Sequence, residues 1–230
     1  LQEAAATFKT YNLDLMYALP QQTIEQLEAD LNTALGFEPP HLSIYQLTLE
    51  PNTVFAKYPP VVPDEDTAYS MLDLIEERTA SHGLNRYEIS AFSRKGHQCW
   101  HNVNYWQFGD YLGIGCGAHG KITLPLQNQI VRTVKVKHPK GYMDLTKPYL
   151  DSETTVPTDE LPFEYFMNRF RLLEAWSTDE FTAFTGLSAA TVTPVLAKAM
   201  QLGLVTQPDH RYQITPHGVR YLNDLIQMFL

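Results

Sequence analysis

"YNLDLMYALPQQTIEQLEADLNTALGFEPPHLSIYQLTLEP", residues Tyr11 to Pro51, decides the fold class. Tyr11 to Pro20 reads as a buried strand stopped by proline. Thr23 is placed to cap a helix, and Gln26 three residues later completes a capping box. Ile24, Leu27, Leu31 and Leu35 form one apolar stripe, and Gly36 ends the helix. "HLSIYQLTLEP", from His41, is a second strand. Next comes "PDEDTAYSMLDLIEERTASHG", a second helix that Asp64 caps, with acids in its first turn where the helix dipole favours them. "NRYEISAF" from Asn85 reads as a third strand and "YLGIGCG" from Tyr111 as a glycine-rich fourth. Strand–helix–strand–helix–strand argues for a parallel sheet with helices outside. Four strands cannot close an eight-stranded barrel, so an α/β piece of a larger or partial barrel fits.

The pattern lapses after about Leu145. "TKPYLDSETTVPTDELP" is rich in Pro, Thr and acids, and residues 146–162 read as a linker. Residues 163–230 then read as a small α+β domain. "PFEYFMNRFRLLEA" is a helix with an aromatic face of Phe163, Phe166 and Phe170. "STDEFTAFTG" opens on a capping box, Ser177 to Glu180. "SAATVTPVLAKAMQLG" is a further helix, "LVTQPDHRYQIT" a hairpin, and Thr215 with Pro216 starts a last helix. Helix, helix, helix, hairpin, helix is a winged-helix order.

Composition narrows the function. Of 230 residues, 44% are hydrophobic and 19% charged, so a sizeable core is possible. Net charge is −9, and residues 1–100 hold 14 acids against 6 bases. That argues against a nucleic-acid surface, as does a candidate recognition helix, residues 189–202, with Lys198 as its single base. The one basic stretch, "VRTVKVKHPK" (Val131 to Lys140), reads either as a strand edge protected by lysines or as a dock for carboxylates. No apolar run approaches the roughly 20 residues of a membrane span. Cys99 and Cys116 have neither disulfide-framework nor metal-knuckle spacing, which points to a reducing, cytoplasmic compartment. The chain opens on "LQEAAATFKT", without an initiator methionine, as if on the tail of a helix.

Several residues are placed for chemistry. Asp14 lies between Leu13 and Leu15 in a strand, so it faces the other way. It reads either as a carboxylate satisfied by its surroundings or as an acceptor for vicinal ribose hydroxyls. Gln46 and Thr48 share a face of the next strand and are expected at the same ligand. "GCGAHG" (Gly115 to Gly120) matches G-x-G-x-x-G, but "KITLPLQNQIV" after it is no helix, so a dinucleotide site is rejected. Gly113, Gly115 and Gly117 would leave one strand face bare, open to a flat ligand or to another backbone. "HNVNYW", residues 101–106, would if helical put His101 and Tyr105 on one face and Asn102 and Trp106 on another. His101 reads as a core histidine bonded to Tyr or Asn, or as an axial ligand for haem iron.

Taken together, "NLDLMYALPQQT", "PPHLSIYQLTLEPNT", "HNVNYWQFGDYLGIGCGAHG" and "FMNRFRLLEA" resemble the oxygen-independent coproporphyrinogen-oxidase-like radical S-adenosylmethionine proteins, and within them the haem-chaperone branch. The resemblance covers nearly the whole chain in order. It implies an open partial (β/α) barrel of the TIM type over residues 1–145 and a winged-helix-like C-terminal domain. It implies a [4Fe–4S] cluster and S-adenosylmethionine in the full-length protein, with the C-x-x-x-C-x-x-C motif lying before Leu1 and no cluster ligand in this chain. Asp14 matches the family acid at the cofactor ribose. Thr48 and His119 fall at strand positions that line that cofactor, with different side chains, and Gln46, Gly115 and Gly117 join them. His101 falls on the histidine of the branch's H-N-x-x-Y-W motif, associated with haem binding, which Asn102, Tyr105 and Trp106 complete. The implied cargo is haem and the implied partners are apo-haem proteins, with a homodimer allowed. The alternative is a coproporphyrinogen III dehydrogenase, whose branch lacks H-N-x-x-Y-W. A third reading makes the C-terminal domain a protein-binding module. Ala18 stands where relatives commonly have glycine.

Overall fold

The computed structural model describes residues Leu1 to Leu230, which form two compact units, Leu1–Cys99 and Trp100–Leu230. The fold is mixed α/β, and no closed barrel forms.

In the first unit, α1 (Gln2–Thr7) precedes strand β1 (Asn12–Tyr17), helix α2 (Ile24–Leu35), strand β2 (His41–Gln46), the short α3 (Val54–Lys57) and the long α4 (Glu65–Ser81). Strands β3 (Asn85–Arg86) and β4 (Ala91–Ser93) follow. The Thr23–Gln26 capping box is complete, and the Asp64 carboxylate accepts the Thr67 N–H at 2.8 Å. Leu13, Tyr17, Leu42 and Ile44 on one sheet face pack with Leu27, Leu31, Met71 and Ile75 of the helices. That burial is the hydrophobic reason α2 and α4 cover this face.

Sheet order is β1-β2-β4-β3, and only β1 and β2 run parallel. The expected all-parallel sheet is corrected at "NRYEISAF", where the chain reverses instead of running on. The Arg86 guanidinium donates to the Glu88 and Ile89 carbonyls, and the Glu88 carboxylate accepts the Ser90 N–H and hydroxyl. These local bonds hold the turn in place of a strand ladder. Strand β4 therefore comes back antiparallel to β2 and pushes β3 to the sheet edge.

The second unit opens on helix α5 (Trp100–Trp106). Strands β5 (His119–Leu124) and β6 (Gln129–Lys135), the turn-like α6 (Pro139–Tyr142) and strand β7 (Leu150–Thr155) form an antiparallel meander. Three helices follow, α7 (Leu161–Arg169), α8 (Thr178–Thr185) and α9 (Thr193–Gln201), the last preceded by a short 3-10 turn because Pro194 breaks the expected single helix. Strands β8 (Val205–Thr206) and β9 (Gln213–Ile214) pair antiparallel, and α10 (Pro216–Arg220) and α11 (Leu222–Gln227) end the chain. Phe166 anchors the core, with ring centroids 4.0 Å from Phe229 and 4.8 Å from Phe170.

Three readings of this unit change. The 146–162 linker contains β7, whose side chains are almost all exposed, so its polar composition is that of a sheet edge. The basic stretch is not an edge, because β6 lies between β5 and β7. Its lysines fall at the strand end and beyond, where Lys137 and Lys140 are exposed. "YLGIGCG" is not a strand either: Tyr111 makes one bridge to Lys121 and the rest is loop.

Candidate functional site

The Asp14 face of β1 and β2 lies opposite the helix-covered face. In register, Asp14 sits beside Ser43 and Asn12 beside His41. Asp14 is exposed rather than buried; one oxygen accepts the Asn12 side-chain N–H at 2.7 Å. Its other oxygen makes no hydrogen bond, which suits a pair of ribose hydroxyls as donors. Gln46 departs from the expectation. It is in register with Tyr17, on the opposite face from Asp14, and its side-chain oxygen accepts the Tyr17 hydroxyl at 3.3 Å. Strand alternation puts it there, since Gln46 and Asp14's neighbour Ser43 differ by an odd number of positions. Thr48 lies past the end of β2, exposed, and donates to Glu50 at 3.1 Å.

The residues that sequence reasoning missed here are polar and largely buried. His41 bonds Asn12 at 2.6 Å and Tyr87 at 2.9 Å, and Ser43 donates to Asn12 at 3.2 Å. Burial holds the His41 pKa below the ordinary histidine value; Asp14 works against that and His97 with it. The signal that would have found the group was Asn12, a second polar residue two positions from Asp14 on the same face.

In the second unit the motif "HNVNYW" is helical, as α5. His101 is exposed and makes no hydrogen bond, Val103 is the buried anchor, and Asn102, Tyr105 and Trp106 are half-buried. The core-histidine reading is therefore corrected. Tyr105 packs edge-on to Trp106 at 4.9 Å and against Tyr111 at 5.0 Å. Burial first, then the Tyr105 hydroxyl bonded to it, push the Tyr111 pKa up to about 12, while Arg132 opposes the rise. Arg132 donates to the Tyr111 hydroxyl at 3.0 Å and pairs with Glu164 of α7. A chain of side chains thus fixes Tyr105 from behind. The Arg171 guanidinium lies 5.0 Å from the Trp106 ring centroid, and Trp106 Nε1 is a buried donor without an acceptor.

The helix ends where Phe108 turns left-handed, with φ 66°, while its ring is buried 5.7 Å from Tyr165. Lys121 of β5 seals that end. Its buried ammonium donates to the Phe108 carbonyl at 2.8 Å and to Asp110 at 2.9 Å, and lies 4.1 Å from the Phe108 ring centroid. Burial lowers the Lys121 pKa and Asp110 opposes the fall. Burial works to raise the Asp110 pKa, but bonds from the Thr123 N–H and hydroxyl and from Lys121 hold it below the usual carboxylate range.

The glycines of the loop act in two ways. A side chain at Gly113 would clash with the His119 carbonyl, so this glycine serves the approach of another backbone. Gly115 and Gly117 have φ of 105° and 69°, left-handed backbone that favours glycine. Exposed Leu112, Ile114 and Cys116 lie on the same loop, and Gly115 N–H donates to the Tyr142 hydroxyl at 3.0 Å. His119 opens β5 as an exposed residue. The structure thus gathers His101, Asn102, Tyr105 and Trp106 on one helix and leaves Asp14 and Gln46 on different faces of the other unit's sheet. No three His, Cys, Asp or Glu side chains are grouped to hold a metal ion, so the chain's own residues do not fit a [4Fe–4S] cluster. No helix is long and apolar enough to cross a membrane.

The HemN C-terminal domain family matches residues 156–221. The protein named heme chaperone HemW from Escherichia coli (strain K12) is 48% identical over 96% of this chain and 58% of its own length. Its namesake from Haemophilus influenzae is 49% identical over 96% of this chain and 57% of its own length. That of Bacillus subtilis is 32% identical over 97% and 59%. The chain thus spans somewhat more than half the length of these relatives. Among solved structures, one described as "Coproporphyrinogen III oxidase (HemN) from Escherichia coli is a Radical SAM enzyme" matches with a TM-score of 0.73 at 18% identity, over 96% of this chain and 55% of that one. At that identity the match speaks for the fold. Near-half identity along almost the whole chain carries more, and by it the chain is similar to somewhat more than half the length of the proteins named heme chaperone HemW.

Proposed function

We propose that the protein is a haem carrier, which binds haem at α5 through or beside His101 and passes it to apo-haem proteins. The observation that carries this reading is His101 itself: an exposed imidazole without a hydrogen bond, on a helix braced from behind by Tyr111, Arg132, Glu164 and Lys121. A free ring nitrogen on a rigid support is what an axial iron ligand requires. The exposed Leu112 and Ile114 offer apolar contact suited to a porphyrin.

Asp14 would receive the ribose hydroxyls of S-adenosylmethionine, on the sheet face that no helix of this unit covers. Bound, that cofactor supplies the family's radical chemistry or favours one haem-carrying state. Thr48, exposed past the end of β2, is a further candidate for its surroundings, whereas Gln46 is turned toward Tyr17 on the other face. We read the first unit's sheet as part of an open barrel and residues 163–230 as winged-helix-like, supported by the order of α7 to α11 around the β8–β9 hairpin. The free thiols Cys99 and Cys116 support a cytoplasmic setting.

Titrating haem into the full-length protein and its His101→Ala variant tests the reading. Weaker binding and an altered Soret band in the variant are expected; equal affinity and identical spectra would remove His101 from the site. The dehydrogenase alternative rests on fold likeness alone. An anaerobic assay that showed steady formation of protoporphyrinogen from coproporphyrinogen III would replace the carrier by that enzyme.

A further inference from the structure

A hydrogen-bond chain runs under the Asp14 face, and its direction can be assigned from its carboxylate end. The Cys99 N–H can only donate, and it meets the Tyr87 hydroxyl oxygen at 3.2 Å. The Tyr87 hydroxyl also lies 2.9 Å from His41 Nε2 and donates there when that nitrogen carries no proton. An imidazole that accepts at Nε2 and is neutral carries its proton on Nδ1. That proton goes to Asn12 Oδ1 at 2.6 Å, where the Ser43 hydroxyl also donates at 3.2 Å. With Oδ1 so used, the Asn12 amide is fixed in one orientation, and its Nδ2 donates to Asp14 Oδ1 at 2.7 Å. A carboxylate can only accept, and this fixes the Asn12 amide and with it the Nδ1–H of His41; a neutral His41 then accepts the Tyr87 hydroxyl at Nε2. His41 is 4% and Tyr87 8% exposed, so water competes little for the bond between them, while the Asn12–Asp14 bond lies at the surface. Burial keeps His41 neutral, as the chain requires.

We infer that Asn12 and His41 are positioning residues for Asp14: they hold one carboxylate oxygen on the Asn12 amide, so that the other is presented to a vicinal diol of the bound ligand. This rests on the reading of Asp14 as the ribose acceptor. An exposed aspartate on its own would sample several rotamers, and fixing it removes an ordering cost that binding would otherwise carry. The arrangement needs an amide at position 12 and a donor at the Nδ1 position of residue 41.

The test compares equilibrium binding of S-adenosylmethionine with that of its 2′,3′-dideoxyribose analogue, using the full-length protein with its cluster in place. The measured quantity is the ratio of the two affinities. Asn12→Leu is expected to weaken S-adenosylmethionine about tenfold, the size of one hydrogen bond to a charged group, and to leave the analogue nearly unchanged. His41→Phe reduces the ratio less, and His41→Asn, which keeps a donor near the Nδ1 position, restores it. Equal losses for both ligands would make Asn12 and His41 merely structural and overturn the proposal. So would unchanged ratios in both variants alongside a collapsed ratio in Asp14→Asn. An Asp14→Asn protein that keeps its preference for the diol overturns the ribose reading first, and the positioning role with it.

Discussion

Lys121→Met and Asp110→Ala disturb the same pair from opposite sides and should differ in cost. The Lys121 ammonium is all but fully buried and bonded to the Phe108 carbonyl, Asp110 and Thr123. Methionine keeps the stem's packing and removes the charge, so the several kcal/mol of ammonium desolvation vanish with it. What remains is an unpaired Phe108 carbonyl, about 1–3 kcal/mol. We expect a net loss of about 1–2 kcal/mol. Asp110→Ala instead leaves the ammonium buried without its counter-charge. A fully buried pair broken this way loses about 3–5 kcal/mol. The Asp110 side chain is 45% exposed, so water replaces part of its role and about 2–3 kcal/mol is the expected loss. Equilibrium urea unfolding of each variant and of the double variant measures these values. The double variant should cost less than the two losses added, because the orphaned charge is gone. A Lys121→Met loss equal to or larger than that of Asp110→Ala would refute the reasoning, since it would mean the ammonium contributes more than it costs to bury.

Burial lowers the His41 pKa, so below about pH 6.5 the unfolded chain binds more protons than the folded one. Stability of the first unit should be full above that value and fall as pH drops through the folded-state pKa. Urea midpoints taken at about pH 7.5 and about pH 5 should show that fall, and His41→Phe should flatten it. Phe166→Ala, in the centre of the aromatic core, should cost about 3–5 kcal/mol in the same assay. Trp100→Ala, at a position 83% exposed, should stay within about 0.5 kcal/mol.

What could be read from the sequence was local. Caps at Thr23, Asp64, Ser177 and Thr215 depend on residues three apart, and all four form. The division into units was not legible, since the chain parts at Cys99–Trp100 rather than near residue 145. The reversal at Tyr87–Ser90 was not, because it depends on Arg86 and Glu88 side chains bonding the backbone, which has no periodic signature. The β5–β6–β7 meander was hidden by β7, whose threonines and acids look like a linker until a partner strand is present. Asp14 was placed on the correct face by alternation. Its supporting group was missed because His41 meets Asn12 across 29 positions and Tyr87 across 46. The assignment of Gln46 failed on register, which pairs it with Tyr17 and which neither strand discloses alone.

Strand β7 has a consequence for how the protein behaves in crowded solution. It is the outermost strand of its sheet, so its outward N–H and C=O groups are a template for one more strand. Its sequence, Leu-Asp-Ser-Glu-Thr-Thr, places Asp151 and Glu153 on that border, both exposed. A second copy arriving edge to edge in antiparallel register would bring carboxylates against carboxylates. The border therefore repels its own kind, and the open backbone edge of β7 stays guarded by charge.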